Sequence, residues 1–467
     1  MRIESKLQPI FLRSDSASAW LIILPVVALV VDLFTPILIW KGILPAYARW
    51  ISHAAIATII VLAYARMMVF DRVPGVVWVI AGVSVFGITM ALFNGQSIAA
   101  TAWGWWIMFQ YPLVGLFAYL QPYWPKRFPQ RLRTFCTVIL GMEVVVQIVQ
   151  YLTGQPPGDN LAGTFGWIGH LDLVIFIVFV LCLALGQWLA LGLWKTLILV
   201  LGMGILSSVL GEMKLFPFAA FALGMLALAI FSFRRGQLWK LLPYAVLLVG
   251  LVWAFVGSYN RIVPSAGKPS LEWYFEPQTL TDYLIVSEPA PAVSIYDGTQ
   301  YEYYYIGRNY ALAYGWNAIR RDPLTLLFGW GLGARSYASG LGITGIGLLR
   351  GHLGLSAGTS LLVMMQELGL MGILALAGFI LLIVVALFKG IKDNPQSEAS
   401  ELRYALLLFS LLWPIWLWYE TVWVFRVAMV LYWTALGYVL GEPHRHHVGA
   451  QQPHRDNPSF ECGKETE

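Results

Sequence analysis

The sequence predicts an all-α polytopic membrane protein of about twelve transmembrane helices, with one large loop on the outer face of the membrane. Three observations lead there. The 467 residues are 58% hydrophobic and 12% charged, with a mean hydropathy of +0.69, more apolar surface than a soluble fold can conceal. Apolar runs close to the roughly 20 residues of one bilayer crossing recur between short polar breaks. The basic residues, finally, fall unevenly between alternate connections.

The spans are read at Trp20 to Trp40, Ile51 to Phe70, Gly75 to Phe93, Trp103 to Gln121, Thr134 to Thr153, Leu171 to Trp194, Thr196 to Glu212, Leu215 to Phe233, Leu241 to Gly257, Thr359 to Phe388, Tyr404 to Glu420 and Thr421 to Leu440. The first is a full crossing with no small-residue cleavage site after it, so it is expected to remain as a helix. The tenth exceeds one crossing, which predicts a tilted or broken start. The chain divides accordingly into residues 1–257 with nine helices, the loop 258–355, three helices within 356–440, and a polar tail 441–467 expected to be disordered. His444, His446 and His447 in that tail fit a solvated segment better than a metal site.

Placing the N-terminus in the cytoplasm puts Lys126, Arg127, Arg131 and Arg133, and also Arg234, Arg235 and Lys240, on the inner side. The short outer connections then carry only Lys41, Arg49 and Lys214. Both termini are expected in the cytoplasm, in a bacterial inner membrane, with the long loop periplasmic. The net charge of +5 is accounted for by this asymmetry and leaves nothing for nucleic acid to explain. Cys136, Cys182 and Cys462 fall in two spans and the inner tail, where no disulfide framework is expected.

Function is expected in the long loop, Ser258 to Leu355. Its first half is rich in aromatics, through Trp273, Tyr274 and Phe275 and the run Tyr301, Tyr303, Tyr304 and Tyr305, which suits sugar rings or an interfacial belt. Its second half alternates helix-like segments with glycines at Gly329, Gly331 and Gly333 and carries Arg308, Arg320, Arg321, Arg335 and Arg350. Guanidinium groups match phosphate oxygens with paired hydrogen bonds, so this cluster suits a lipid-linked pyrophosphate. Asp282, Asp297 and Asp322 stand apart, with no Asp-x-Asp pair to hold a divalent ion, and no metal or other cofactor is expected. The loop Gly154 to His170 has no Lys or Arg and reads as an outer segment folding back toward the bundle. Glu212 and Lys214 fall between two spans with almost no loop around them, as a salt bridge between helix ends or as part of a ligand site. Asp32, Glu143 and Arg426 lie inside spans, as internal pairs or as an ion path.

Three stretches, in order, resemble the O-antigen ligase and O-antigen polymerase superfamily. Asn160 to Gly166 (Asn-Leu-Ala-Gly-Thr-Phe-Gly) is similar to its outer-loop motif, which has Arg where Asn160 stands. Gly307-Arg308-Asn309 with Asp322-Pro323-Leu324 and Leu327 to Gly333 resembles its large-loop signature, and Glu367, Gly369 and Gly372 resemble its Glu-x-Gly-x-x-Gly helix start. The resemblance implies a GT-C-like, metal-independent glycosyltransferase that takes a glycan from undecaprenyl pyrophosphate on the periplasmic face. It implies Arg308 as a pyrophosphate-holding residue. Lys214 stands where the family often has a Ser-Arg pair, keeping the charge without the fork. Glu212, His170 or His352 would orient or deprotonate the acceptor, and Arg320, Arg321, Arg335, Arg350, Glu367, Asn160 and Thr164 would line the substrate site. Ligases usually carry His-Asn nine residues before the glutamate, where this chain has Gly358-Thr359. That departure moves the expectation from ligation to lipid A core toward polymerisation of O-antigen or exopolysaccharide repeat units. The expected partners are the undecaprenyl-pyrophosphate-linked glycan, an acceptor glycan, membrane lipid, and a chain-length regulator or other polysaccharide assembly proteins. The rival from another class is a transporter or flippase for a lipid-linked sugar, built on Asp32, Glu143 and Arg426.

Overall fold

A computed structural model describes residues 23–68, 75–166, 169–235, 242–264, 270–278, 290–296, 299–305, 308–338, 342–346, 359–395, 397–422 and 426–450. Among the described residues, nine α-helices precede the long loop: α1 (Ile23–Trp40), α2 (Trp50–Met67), α3 (Gly75–Phe93), α4 (Ile98–Tyr119), α5 (Phe128–Leu152), α6 (His170–Leu191), α7 (Lys195–Leu210), α8 (Leu215–Arg235) and α9 (Leu242–Ile262). The loop holds α10 (Arg308–Ile319) and α11 (Pro323–Phe328). After it come α12 (Ser360–Asp393), α13 (Ser400–Leu411), α14 (Trp413–Tyr419) and α15 (Arg426–Ala450).

A helix thus lies over each predicted span. By length and apolarity, seven described helices can cross a membrane, namely α1, α2 with its preceding turn, α3, α5, α6, α8 and α12. The pair α13 and α14, bent by 43°, makes an eighth if taken as one span. Of the others, α7 has only 16 residues, and Trp103, Trp105, Trp106, Gln110 and Tyr111 reduce the apolarity of α4.

Packing separates helices that face lipid from those that face protein. The most apolar window of α3 is only 22% buried and that of α12 only 17%, whereas that of α6 is 94% buried. An apolar helix surrounded by other helices must approach them closely, and small residues allow it. A Cβ on Gly186 of α6 would lie 2.2 Å from the Glu401 carbonyl oxygen of α13, and one on Gly437 of α15 would lie 2.1 Å from the Gly115 carbonyl oxygen of α4. Phe176, Phe179, Phe409, Trp416 and Tyr432 fill the interior between these contacts.

Four features depart from or refine the expectation. The aromatic run of the long loop, for which no element is assigned from the sequence, forms a strand: Ala290–Tyr296 (β1) pairs antiparallel with Thr299–Tyr305 (β2), Tyr296 opposite Thr299. Alternating β-branched and aromatic residues around the dipeptide Asp297-Gly298 favour that pairing. A two-residue pair, Tyr337–Ala338 (β3) with Ile343–Thr344 (β4), follows farther on. The ninth helix continues past Gly257 to Ile262. The tail expected to be disordered from Gly441 is helical through Ala450, because Glu442 accepts hydrogen bonds from Arg403 of α13 and from the Ser397 hydroxyl, the latter at 2.7 Å. The tenth span has the expected broken start, at Gly369, whose φ is 62° and ψ is −159°.

Candidate functional site

The break in α12 is where the long loop enters the bundle. A non-helical residue removes the N–H partners of the carbonyls one turn before it. The loop supplies replacements: Trp330 N–H donates to the Gln366 carbonyl at 2.8 Å and Gly331 N–H to the Glu367 carbonyl at 2.9 Å. On the other side, Leu332 N–H donates to the Gly87 carbonyl of α3 at 3.0 Å. Gly87 lies six residues before the end of α3, and Gly104 six residues after the start of α4, so the loop dips about 9 Å below those helix ends. Irregular backbone at such depth is tolerated only where protein surrounds it.

The glycines make this dip possible. Gly331 has φ +94°, and a Cβ there would lie 2.0 Å from the Ala91 nitrogen. Gly333 has φ +85°, and a Cβ there would lie 2.0 Å from the Ala100 carbonyl oxygen. The Gln96 side chain holds the far end, accepting from Ile346 N–H at 2.9 Å and donating to the Gly333 carbonyl at 3.4 Å. Behind the loop, α10 packs on the first turns of α12 through Ala311, Ile319, Leu362 and Met365.

Two residues expected at a substrate site meet here. Glu367 is 2% exposed, and its carboxylate accepts the Arg335 N–H at 2.9 Å and a further bond from the backbone of Gly333. The Arg335 side chain is buried in the same place; burial lowers the pKa of its guanidinium, and the nearby Glu367 opposes that shift. Sequence reasoning missed Gln366 beside them. Its side chain is fully buried, and among the described residues neither amide atom has a hydrogen-bond partner.

Arg308, at the start of α10, packs on the corner between α14 and α15. Its Nε donates to the Tyr419 carbonyl, its guanidinium lies 4.3 Å from the centre of the Tyr419 ring, and Nη2 is 3.8 Å from Glu420 Oε2. Next to it, Asn309 Oδ1 accepts from Trp418 Nε1 at 2.8 Å. The Ser360 hydroxyl donates to the Glu420 carbonyl at 2.9 Å and accepts from Val422 N–H at 2.7 Å, which ties this corner to the start of α12. Arg320 and Arg321 are exposed at the turn between α10 and α11. There Asp322 caps α11, and bonds from the Thr325 hydroxyl and N–H keep its carboxyl below the usual range.

The loop after α5 folds back as expected. Glu143, inside α5, accepts from the Thr164 N–H at 2.7 Å and from the Thr164 hydroxyl. One turn on, Gln147 donates to the Leu161 carbonyl at 2.7 Å, and Gln150 exchanges bonds with Gly163 at 3.0 and 3.1 Å. Glu143→Ala leaves a buried N–H and hydroxyl without an acceptor and is expected to cost about 3 kcal/mol, seen as a lower unfolding midpoint in detergent. Glu143→Gln keeps an acceptor oxygen and should cost about a third of that. Equal midpoints for wild type and Glu143→Ala would show that this carboxylate does not hold the loop.

Nearby, Asn160 is half-buried, and His170 Nε2 lies 3.6 Å from Asp159. Lys214 Nζ is 2.9 Å from Glu212 Oε1, to which the Tyr259 hydroxyl of α9 donates at 3.2 Å. Glu212 itself has φ +54°, the left-handed conformation of a tight turn. The structure therefore joins Glu212 with Lys214, Arg335 with Glu367, and Thr164 with Glu143. His352 and Arg350 lie outside the described residues. The two charges inside α1 and α15 are paired: Arg426 Nη1 is 3.3 Å from Asp32 Oδ1, and the Ser52 hydroxyl donates to Asp32 Oδ2 at 2.7 Å. Arg426 thus finds its partner on α1. Among the described residues, no group of three His, Cys, Asp or Glu side chains could hold a metal ion.

Directly below the inserted loop, one turn from Gly87, Gly104 and Leu368, an apolar groove opens between α3 and α12. Its upper part, about 90 Å³, is lined by Val83, Met108, Gly372 and Ala375. A second part of about 450 Å³ shares Val79, Phe379 and Trp433 with the first and continues to Gly75 and Leu440. The loop bridges α3 and α12 above the groove, and below it α4 and α15 form the floor.

A buried, largely helical bundle with several apolar helices of crossing length defines a multi-pass membrane protein. No known protein family's sequence profile matches the chain, and no curated protein is significantly similar to it.

Proposed function

We infer that this protein is a metal-independent membrane glycosyltransferase of GT-C type, with twelve spans, that polymerises lipid-linked polysaccharide repeat units on the periplasmic face of the bacterial inner membrane. The acceptor sugar hydroxyl attacks the anomeric carbon of a glycan carried on undecaprenyl pyrophosphate. The new glycosidic bond forms as the bond to pyrophosphate breaks; the electron pair leaves on a phosphate oxygen, and the hydroxyl proton passes to a base or to water. Such a leaving group needs positive charge beside it more than it needs a strong base. Arg308, Arg335 and Lys214 would supply that charge, with Arg320, Arg321 and Arg350 around them. Glu212, His170 or His352 would orient or deprotonate the acceptor.

One observation carries this reading: a glycine-rich loop bearing a buried arginine sits on a broken helix at the head of an apolar groove. A lipid pyrophosphate has the matching form, an anionic head joined to a long hydrocarbon chain that cannot leave the bilayer. The unsatisfied amide of Gln366 offers a further polar contact at the head. Two of the stretches that carry the family resemblance, Gly329 to Gly333 and Glu367 to Gly369, are those whose backbones meet at the break in α12.

A flippase reading would need Asp32, Glu143 and Arg426 to line one path. Glu143 is instead bonded to Thr164, and Asp32 to Arg426 and Ser52, which favours transfer over transport. Purified protein in liposomes, given lipid-linked repeat units, is expected to lengthen the glycans on one leaflet without moving them across. Translocation without lengthening would overturn the enzymatic reading. Glycan attached to lipid A core rather than lengthened would make the protein a ligase.

A further inference from the structure

On the membrane face opposite the inserted loop, three helix ends meet around a hollow of about 460 Å³, lined among others by Arg127, Arg133, Gln187, Glu398, Ser400 and Glu401. Two of the three ends are helix starts. The N-caps of α5 and α13, Arg127 and Ala399, give no side-chain bond to the first turn, and Arg127 is held at φ +57°. The third end is the C-terminus of α6, which presents carbonyl oxygens. The hollow therefore has positive and negative dipole ends side by side.

Its side chains repeat that balance. Arg133 and Glu401 are mutually paired and mostly buried, while Arg127 and Glu398 stand exposed as one cation and one anion. Gln187 is 5% exposed, and among the described residues its Oε1 has no hydrogen-bond partner, an acceptor left unsatisfied in the wall of the hollow. Leu191 and Leu193 at the rim, with Trp194 beside them, are 61%, 53% and 55% exposed, as suits contact with the bilayer interface.

We propose that this hollow binds the headgroup of a zwitterionic phospholipid with a primary ammonium, a phosphatidylethanolamine. The phosphate diester lies toward Arg127 and the starts of α5 and α13. The ammonium lies toward Glu398, the Gln187 carbonyl and the end of α6. Two guanidinium groups against two carboxylates match neither a purely anionic nor a purely cationic ligand. The acceptors are carboxylate and amide oxygens, which reward N–H donors, whereas a quaternary ammonium is held by aromatic faces. The site is independent of the glycosyltransferase reading.

The test is native mass spectrometry of the full-length protein in mild detergent, mixed with equimolar phosphatidylethanolamine, phosphatidylcholine and phosphatidylglycerol of identical acyl chains. Wild type is expected to retain phosphatidylethanolamine about tenfold over the other two, the worth of one or two charge-assisted hydrogen bonds. Glu398→Gln should reduce that preference, and Arg127→Ala should lower retention of all three; both changes are at exposed positions. Equal retention of the three lipids by wild type would overturn the proposal, as would a phosphatidylethanolamine preference unchanged in both variants.

Discussion

Gly331→Ala is expected to destabilise the protein by about 4 kcal/mol, although it adds a single methyl group. About 1 to 2 kcal/mol comes from forcing a side chain into the left-handed region, at φ +94°. The rest comes from the Ala91 nitrogen, 2.0 Å from the added carbon, because a backbone atom inside α3 cannot rotate away as a side chain can. The loop must then withdraw, which strands the Gln366 and Glu367 carbonyls at the break in α12. Thermal unfolding in detergent measures the loss. Gly250→Ala is the control, since nothing lies within 4 Å of a Cβ there and the helix should gain slightly. Similar midpoints for the two variants would mean that the loop is not inserted as described.

On the proposed function, Arg308→Ala is expected to lower glycan polymerisation by about 30-fold to 1000-fold, the loss of roughly 2 to 4 kcal/mol of stabilisation for charge that would develop on a leaving pyrophosphate. The Nη2 to Glu420 distance of 3.8 Å exceeds a hydrogen bond, so a phosphate oxygen would compete with that carboxylate on favourable terms. Arg308 also anchors the Tyr419 corner, so its loss should lower the unfolding midpoint as well, by an amount near that of one cation–π contact and one hydrogen bond, about 2 kcal/mol. Arg308→Lys separates the roles: it keeps the charge over the ring but loses the fork, so stability should largely recover while activity does not. Cells carrying Arg308→Ala should accumulate single lipid-linked repeat units. Normal chain-length ladders with the variant expressed and inserted would leave Arg308 a structural residue only.

The positions of the helices were legible because lipid imposes a length and a composition on any segment that crosses it. The broken start of α12 was legible from its length alone, and the folding back of the Gly154 loop from its lack of positive charge. The hairpin was less so, since the run Tyr301 to Tyr305 was weighed for ring contacts rather than for its period of two. The continuation of α15 was hidden because it depends on Arg403 and Glu442, partners 39 positions apart that only the fold brings together. Within the candidate site, Arg335 and Glu367 could be named from sequence, but their meeting could not. It depends on Gly87 and Gly104, each unremarkable in an apolar run until a backbone arrives against it, and on the break at Gly369. Gln366 gave no signal at all, because a glutamine near a helix start is ordinary until its burial is known.

The inserted loop fastens α3 and α12 together at one end only. Their remaining lengths run on either side of the groove away from that fixed point, and any sway between them grows with distance from it. Bilayer thickness and lateral pressure would therefore alter the width of the far opening while leaving the geometry near Arg335 almost untouched. On the proposed function, recognition of the head and admission of the chain would thus respond to different properties of the surrounding membrane.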